Sequence, residues 1–545
     1  MKIILEILLA LVVALAWAAQ MARWLRVLQR EHYDPSAPFR FLGRWSAPAV
    51  ASAKSPAVRR QARRSLLHLL ALTRRSKLPQ EQRERRPLSP SLLWAILVVL
   101  FVLLRLDVGA ALVSVLYGLT CPVGLSIRGR TSKLHWTRRL RLIAIVATFV
   151  ALVLGIGGWL AGVQWYGAVI AVWSVPPVLG LATRVLAPVE ERLAARFVRQ
   201  ASARLAKVRP RVVAITGSYG KTSTKNHLVD LLGPSAGVVA SPRSFNNRAG
   251  LSRAVNEHLV EDTRVFVAEM GTYGPGEIRE MCAWCTPEIS VVTAIGPVHL
   301  ERMGSLETIE AAKHEITEGA STIVLNVDDP RLARWSEGLR AQGKRVVTAA
   351  SLDEGANVVV RRVEDQWEVL VDHAVVARVE APVGLQSTNV ACAFAAAWVL
   401  GHDVDELVAR LRELRSVDSR QNVVRAPSGV VVIDDTFNAN PQSARAALEL
   451  LASLDVDGRR VVVTPGLVEL GPRQHEENLL LARRAKALGA ELVAVGRTNA
   501  LALGAGFGEG LRRFDHRDES VAWARQALHE GDAVLYLNDL PDHYP

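Results

Sequence analysis

Cysteine is scarce. The 545-residue chain holds four, Cys121, Cys282, Cys285 and Cys392, too few for the disulfide framework of a small secreted domain. The Cys282-x-x-Cys285 pair has no second Cys/His pair at zinc-finger spacing. It reads as two packed thiols of a reduced, cytosolic domain rather than as a metal or redox pair. Acid is also in deficit: 53 Asp and Glu face 66 Lys and Arg, a formal net charge of +13. Such an excess suits nucleic acid or an anionic membrane face. Here the basic clusters lie between apolar segments, so the membrane is the expected partner and nucleic acid is not. Long apolar runs are rare beyond the first third of the chain, although the overall hydrophobic fraction is 50%. The length exceeds one ordinary domain and implies two to four.

Residues 3–19, IILEILLALVVALAWAA, form an apolar run with Glu6 as its single charge. Only Lys2 precedes it and MARWLR follows, unlike the basic start and small-residue cleavage site of a removable leader. A retained helix is expected. Further apolar stretches lie at 91–104, 108–125, 142–163 and 165–187. Segment 21–90 is rich in arginine (Arg59, Arg60, Arg63, Arg64, Arg74, Arg75, Arg85, Arg86), and 126–141 carries Arg128, Arg130, Lys133, Arg138, Arg139 and Arg141. Basic loops stay on the cytosolic side. Both can do so if 91–125 crosses twice, with Arg105 and Asp107 at an outer turn, or as a re-entrant hairpin with that charged pair buried. The expectation is about five spans, an outer N-terminus, and everything after about residue 188 in the cytosol. Within the basic loop, Ala62–Thr73 suits either a helix lying on the anionic leaflet or an ordinary cytosolic helix.

From about residue 209 strand and helix signals alternate. The β-branched run Arg211–Thr216, RVVAIT, leads into Gly217-Ser218-Tyr219-Gly220-Lys221-Thr222-Ser223-Thr224 and then the helical KNHLVDLLG. Strand, glycine turn and helix form the context of a nucleotide phosphate loop. Glycines allow the tight turn, and free N–H groups at the helix start face phosphate oxygens. Lys221 is placed to reach the terminal phosphates and the Thr222 hydroxyl to ligate Mg²⁺. The common G-x-x-x-x-G-K-[ST] pattern is not met, because position 215 is isoleucine.

The shorter form, T-G-S-Y-G-K-T-S, resembles the Mur ligases, which build the peptide of bacterial peptidoglycan. Further stretches agree in order: SFNNRAG (244–250), FVAEMGT (266–272), TAIGPVHLERMGS (293–305), Ala311-Ala312-Lys313, LNVDDP (325–330) and IDDTFNANP (433–441). They resemble most the branch that adds D-alanyl-D-alanine. The resemblance covers about 209–545. It implies an ATP-dependent carbon–nitrogen ligase that phosphorylates a carboxylate and lets an amine displace the phosphate. Carried over, Thr222 and Glu269 would hold Mg²⁺ beside ATP, and His299 a second Mg²⁺. Lys313 would carry a carbamate from CO₂. Asn326 and Asp328 would lie near the base, and Arg420 and Asp435 would close over phosphate and ribose. Asn246, Asn247, Asn438 and Asn440 would face the substrates, although Asn440-Pro441 is also a plain turn signal.

Three departures stand out. Membrane helices and a basic loop occupy the place of the usual UDP-sugar-binding domain. The G-x-H-N-V-x-N entrance to the last domain is replaced by Gly384-Leu385-Gln386-Ser387-Thr388-Asn389. The loop after the Asp-Asp motif reads TPGLVELG (464–471), and the chain ends in LNDLPDHYP. The expected fold class is α/β. An all-α membrane region (1–204) precedes a P-loop ATPase domain on a parallel sheet (205–382) and a Rossmann-like domain (383–545). The expected partners are a carboxylate-bearing peptide or sugar-peptide precursor and an amino-acid or dipeptide amine. The leading substrate pair is a UDP-linked tripeptide with D-Ala-D-Ala, and the alternative is a lipid-linked or poly-glutamate-type acceptor. An ATP-hydrolysing transporter or regulator is the competing class; simple hydrolysis does not call for the Glu269, His299 and Lys313 set.

Overall fold

The computed structural model describes residues 2–46, 107–122, 125, 127, 133–162, 164–242, 245–382, 384–415, 422–437, 439–540 and 544. Segment 91–104, most of the basic loop, Arg420 and Asn438 lie outside the described residues. The chain divides into a smaller unit (1–191, 494–519, 539–545) and a larger one (192–493, 520–538).

In the smaller unit, a helix of 29 residues spans Lys2–Arg30, continuing past residue 21, where a loop was expected. The arginines that would have ended it are accommodated by its neighbour. Arg23 donates to the carbonyls of Gly118 and Leu119, and Gln20 to that of Cys121 at 2.6 Å. Gly118 and Leu119 lie in the last turn of helix Asp107–Thr120 and Cys121 follows it, where unpaired carbonyls favour a cation. The described part of that helix has 14 residues, about 21 Å at 1.5 Å per residue, and it ends at Thr120 where the apolar stretch was expected to run to 125. Tyr117 and Trp173 stack with centroids 3.8 Å apart.

Two described helices are long and apolar enough to cross a membrane, Glu6–Arg30 and Arg138–Leu160. A third candidate is the pair Trp165–Trp173 and Val175–Val208, bent by 65°. On Arg138–Leu160, Ile145, Phe149, Val153, Ile156 and Trp159 are all more than half exposed. Apolar side chains shown outward in this number fit contact with lipid.

The larger unit holds two sheets. The first contains β1 (Arg211–Thr216), β2 (Val238–Ala240), β3 (Val265–Glu269), β4 (Ile289–Val292), β5 (Thr322–Asn326), β6 (Arg345–Ala350), β7 (Val358–Val363), β8 (Gln366–Val371) and β9 (Ala374–Glu380). Their order is β2-β3-β1-β4-β5-β6-β7-β8-β9. Pairing is parallel as far as β7 and antiparallel beyond. The core strands β1, β3, β4 and β5 are almost wholly buried, as continuous Val/Ile runs in a sheet covered on both faces must be. The chain leaves β1 toward β2 and β3 on one side and toward β4 on the other. The carboxyl end of β1 is therefore a topological switch point, where such sheets bind ligands. Helix Ser387–Val399 is buried from Asn389 to Ala397 and shares the core of this sheet with Val291, Val324 and Val358. The core of the ATPase domain thus extends past residue 382, where the boundary was expected. Ala391, Ala393, Ala395, Ala396 and Ala397 allow the helix to sit close to the strands.

In the second sheet β10 (Asn422–Arg425), β11 (Val431–Asp435), β15 (Ala533–Leu537), β12 (Arg460–Thr464) and β13 (Glu491–Val495) lie in that order. β11, β15 and β12 are parallel, as the doubly wound expectation requires. β14 (Arg512–Phe514) falls in the smaller unit.

Candidate active site

The phosphate loop connects β1 to helix Lys221–Leu232. Gly220, the residue before the helix, has φ +79°, and a Cβ there would lie 2.2 Å from Asn389 Oδ1. Gly217 has φ +151°, and its Cβ would meet Thr293 Oγ1 at 2.0 Å. Both positions therefore exclude other side chains, and the loop backbone stays bare toward a ligand. Ser218 is fixed rather than free: its N–H donates to Ala294 O (2.8 Å) and its hydroxyl to Gly296 O (2.9 Å). Tyr219 is half-buried and packs against Gly296, and desolvation pushes its phenol far up. Ser223 lies on the rim of the adjoining cleft.

Three of the expected catalytic groups converge here. Lys221 Nζ donates to Gly217 O at 2.7 Å, and Lys313 Nζ, from helix Leu306–His314, donates to the same carbonyl at 3.1 Å. Glu269, at the end of β3, accepts from Thr222 Oγ1 at 3.0 Å and from Asn246 Nδ2 at 3.2 Å. Lys313 is buried; desolvation, helped by Lys221, holds its amine well below the ordinary 10.5. Burial alone would raise Glu269, but Lys225 and Lys221 outweigh it and the carboxyl is held below its ordinary value.

Lys225 is a site residue that the motif reading missed. It sits one helical turn after Lys221 and reaches Glu269 Oε2 at 3.2 Å and Ser241 O at 2.9 Å. The i, i+4 spacing of the two lysines was the available signal, since it puts both on one face.

The remaining expected residues divide by role. Asn326 donates to Thr293 O (2.8 Å) and accepts from the Asp328 N–H (3.2 Å). The Asp328 carboxylate accepts from Ser351, Leu352 and Asp353 and so fastens the loop after β6. Asn247 caps helix Arg248–His258, and Asn440 caps helix Pro441–Ser453 in a reciprocal pair with Ser443. These two hold backbone donors; Asn246 orients Glu269. Asp435 ends β11 and, with Phe437, Asn440, Gln386 and Asn389, lines a cleft that opens onto Tyr219, Gly220 and Ser223. Asp435 of the last domain and the phosphate loop thus line one cleft.

His299 stands at the start of helix Leu300–Met303 with φ +55°. Its Nδ1 meets the carboxylate of Glu469, and Tyr273 lies edge-on at 4.6 Å. Among the described residues no group of three or more His, Cys, Asp or Glu is gathered for a metal ion. A cation here would draw ligands from phosphate oxygens and water. That suits Mg²⁺, which keeps waters and takes one or two protein carboxylates. The Thr222–Glu269 pair beside a bare phosphate loop fits such an ion.

His227, on the phosphate-loop helix, is buried, and its Nδ1 has no hydrogen-bond partner among the described residues. Desolvation pushes its imidazole down to about 4. The native state therefore binds fewer protons than the unfolded chain between roughly pH 6.5 and 4. Stability is present above that window and declines as pH falls through it, by roughly 3 kcal/mol in full. Thermal melting between pH 7 and 4.5 should show this decline, and His227→Leu should flatten it.

Comparison with known proteins agrees with this geometry. The Mur ligase middle domain matches residues 215–397, and the Mur ligase glutamate ligase domain matches 419–537. The UDP-N-acetylmuramoyl-tripeptide–D-alanyl-D-alanine ligase of Mycobacterium tuberculosis (strain ATCC 25618 / H37Rv) is 32% identical over 355 residues, 59% of this chain and 69% of the relative. The ligase of that name from Escherichia coli (strain K12) is 28% identical over 333 residues, 58% and 70% of the two chains. MurF from Thermotoga maritima, solved in complex with ADP, superposes with a TM-score of 0.56 at 25% identity, over 64% of this chain and 80% of that one. MurF from Acinetobacter baumannii shares the fold, with a TM-score of 0.56 at 24% identity, over 63% and 77%. The phosphate loop, the buried acid behind it and the two α/β sheets define a nucleotide-dependent ligase. The chain belongs to the Mur ligase family, whose members are ATP-dependent enzymes that form carbon–nitrogen bonds.

Proposed function

We propose that the chain joins D-alanyl-D-alanine to a UDP-MurNAc-tripeptide with ATP, at the cytosolic face of a membrane in which its N-terminal helices are embedded. The observation that carries the ligase half is the convergence of Lys221 and Lys313 on Gly217 O beside the Thr222–Glu269 pair. The substrate pair rests on the relatives named for it. The membrane half rests on the candidate spans and the basic loops.

In the proposed reaction a substrate carboxylate oxygen attacks the γ-phosphorus of ATP and ADP leaves. The amine nitrogen then attacks the acyl carbon, phosphate leaves, and the amine proton passes to solvent. Lys221 turns from Gly217 O to the terminal phosphates. Thr222 and Glu269 would hold one Mg²⁺, and His299 with a carbamate on Lys313 would hold another. Magnesium, when bound, neutralises phosphate charge as it shifts between oxygens. Asp435 and its cleft close over the nucleotide from the last domain.

Detergent-purified full-length protein is tested with ATP and Mg²⁺, following phosphate release with and without UDP-MurNAc-tripeptide plus D-Ala-D-Ala, and the amide product by mass spectrometry. Substrate-dependent release with a pentapeptide product, lost in Lys221→Ala, is expected. ATP binding without that product would overturn the substrate assignment and favour a lipid-linked or polymeric acceptor.

A further inference from the structure

Glu469 belongs to the loop that follows β12, in the last domain, 170 residues from His299. It touches the ATPase domain twice. Its carboxylate meets His299 Nδ1, and its backbone carbonyl accepts from the Glu301 N–H at 3.2 Å. Both partners have left-handed backbones, His299 at φ +55° and Glu469 at φ +63°. A non-glycine residue adopts that region at an energetic cost, and such strain persists where the surroundings enforce it, commonly at functional sites. The enforcement is visible. Gly471, at φ +55°, brings its backbone so near that a Cβ there would lie 3.4 Å from Glu301 N. Leu470 is buried close by. Tyr273 lies edge-on to the imidazole, and Arg302 sits 4.7 Å from the Tyr273 ring.

We propose that Glu469 is a positioning residue. By taking His299 Nδ1–H, it fixes the ring so that Nε2 is the nitrogen offered to a cation at the phosphate site, and it does so only when the last domain has closed. This rests on the reading of His299 as a metal-site residue. A carboxylate on the far nitrogen of a ligating histidine sets its tautomer and basicity. Here that carboxylate comes from the other domain, so closure and completion of the cation site become one event. ATP bound to an open enzyme then meets an unfinished site, which limits wasteful hydrolysis before both substrates are enclosed.

The test uses the full-length protein in detergent, with Mn²⁺ and ADP as the probe and bound Mn²⁺ counted by electron paramagnetic resonance. Thermal melting checks that each variant is folded. Glu469→Ala should weaken the second Mn²⁺ by about 10- to 100-fold and lower kcat more than it raises KM for ATP. Glu469→Gln, whose amide oxygen still accepts from Nδ1–H, should recover part of both. In a His299→Ala background, Glu469→Ala should add no further loss of Mn²⁺ affinity. Unchanged Mn²⁺ binding in Glu469→Ala, with clear weakening in His299→Ala, would overturn the positioning role alone. Unchanged binding in His299→Ala would overturn the metal reading of His299 with it. Additive losses would show that the two residues act separately and reject the proposal.

Discussion

Lys313→Met is expected to lower ligation by at least about a hundredfold while leaving the protein as stable as before, or more so. The two halves have one cause. Lys313 Nζ is buried, and its hydrogen bond at 3.1 Å goes to the carbonyl of Gly217. Desolvation and Lys221 both oppose its charge. A buried amine with so little support is a poor structural cation, and an unbranched apolar side chain of similar length removes the desolvation penalty. The same features suit a chemical role. An amine whose charged form is opposed in this way is a better nucleophile toward CO₂, and a carbamate formed on it would carry negative charge into a site that already holds Lys221 and would gather magnesium. Wild-type activity should therefore fall in CO₂-stripped buffer and return with bicarbonate, and Lys313→Met should respond to neither. Phosphate-release assays in sealed, degassed buffer, with parallel melting curves, check both halves. A variant that ligates at the wild-type rate would remove Lys313 from the mechanism.

The parts of this site that were legible in sequence are those whose signal is local. Strand, glycine turn and helix at 211–232 announce a phosphate loop within a few residues, because backbone geometry and chemistry coincide there. Glu269, His299 and Lys313 were legible through their joint spacing by resemblance; singly, each is an ordinary strand-end acid, loop histidine or helical lysine. Lys225 was readable from its i, i+4 spacing to Lys221 but carries no motif of its own. Glu469 was beyond reach, since its partner lies 170 residues away. Local chemistry also explains the asparagines: Asn247 and Asn440 precede helices and cap them, as short polar side chains before an apolar-periodic segment do. Hydropathy placed an apolar stretch at 142–163, where the helix runs from Arg138 to Leu160, and failed beyond residue 21. Arg23 there reads as a loop residue by composition, but it extends the helix because the carbonyls of Gly118 and Leu119 receive its guanidinium.

Lys225→Met should destabilise the ATPase domain by roughly 3–5 kcal/mol, the usual consequence of leaving one member of a buried ion pair alone. The Lys225 and Glu269 side chains are 3% and 5% exposed and lie 3.2 Å apart, so solvent screening gives little relief. With the lysine gone, Glu269 keeps Thr222 and Asn246 as donors but loses the largest of the charges that oppose its burial. Its carboxyl should then take up a proton at a higher pH than in the wild type. Glu269→Gln alone also breaks the pair, leaving Lys225 with Ser241 O. Combining Lys225→Met with Glu269→Gln should recover much of the lost stability, because no uncompensated charge remains, while ligation stays lost because the acid facing Thr222 is gone. Denaturation of the four proteins, run as a double-mutant cycle, gives the coupling directly. A strongly favourable coupling identifies Lys225 as the counter-charge that lets the acid at the end of β3 stay ionised where magnesium would sit. Losses that simply add would mean that the lysine supports the Ser241 backbone and leaves Glu269 to be held by its hydrogen bonds alone.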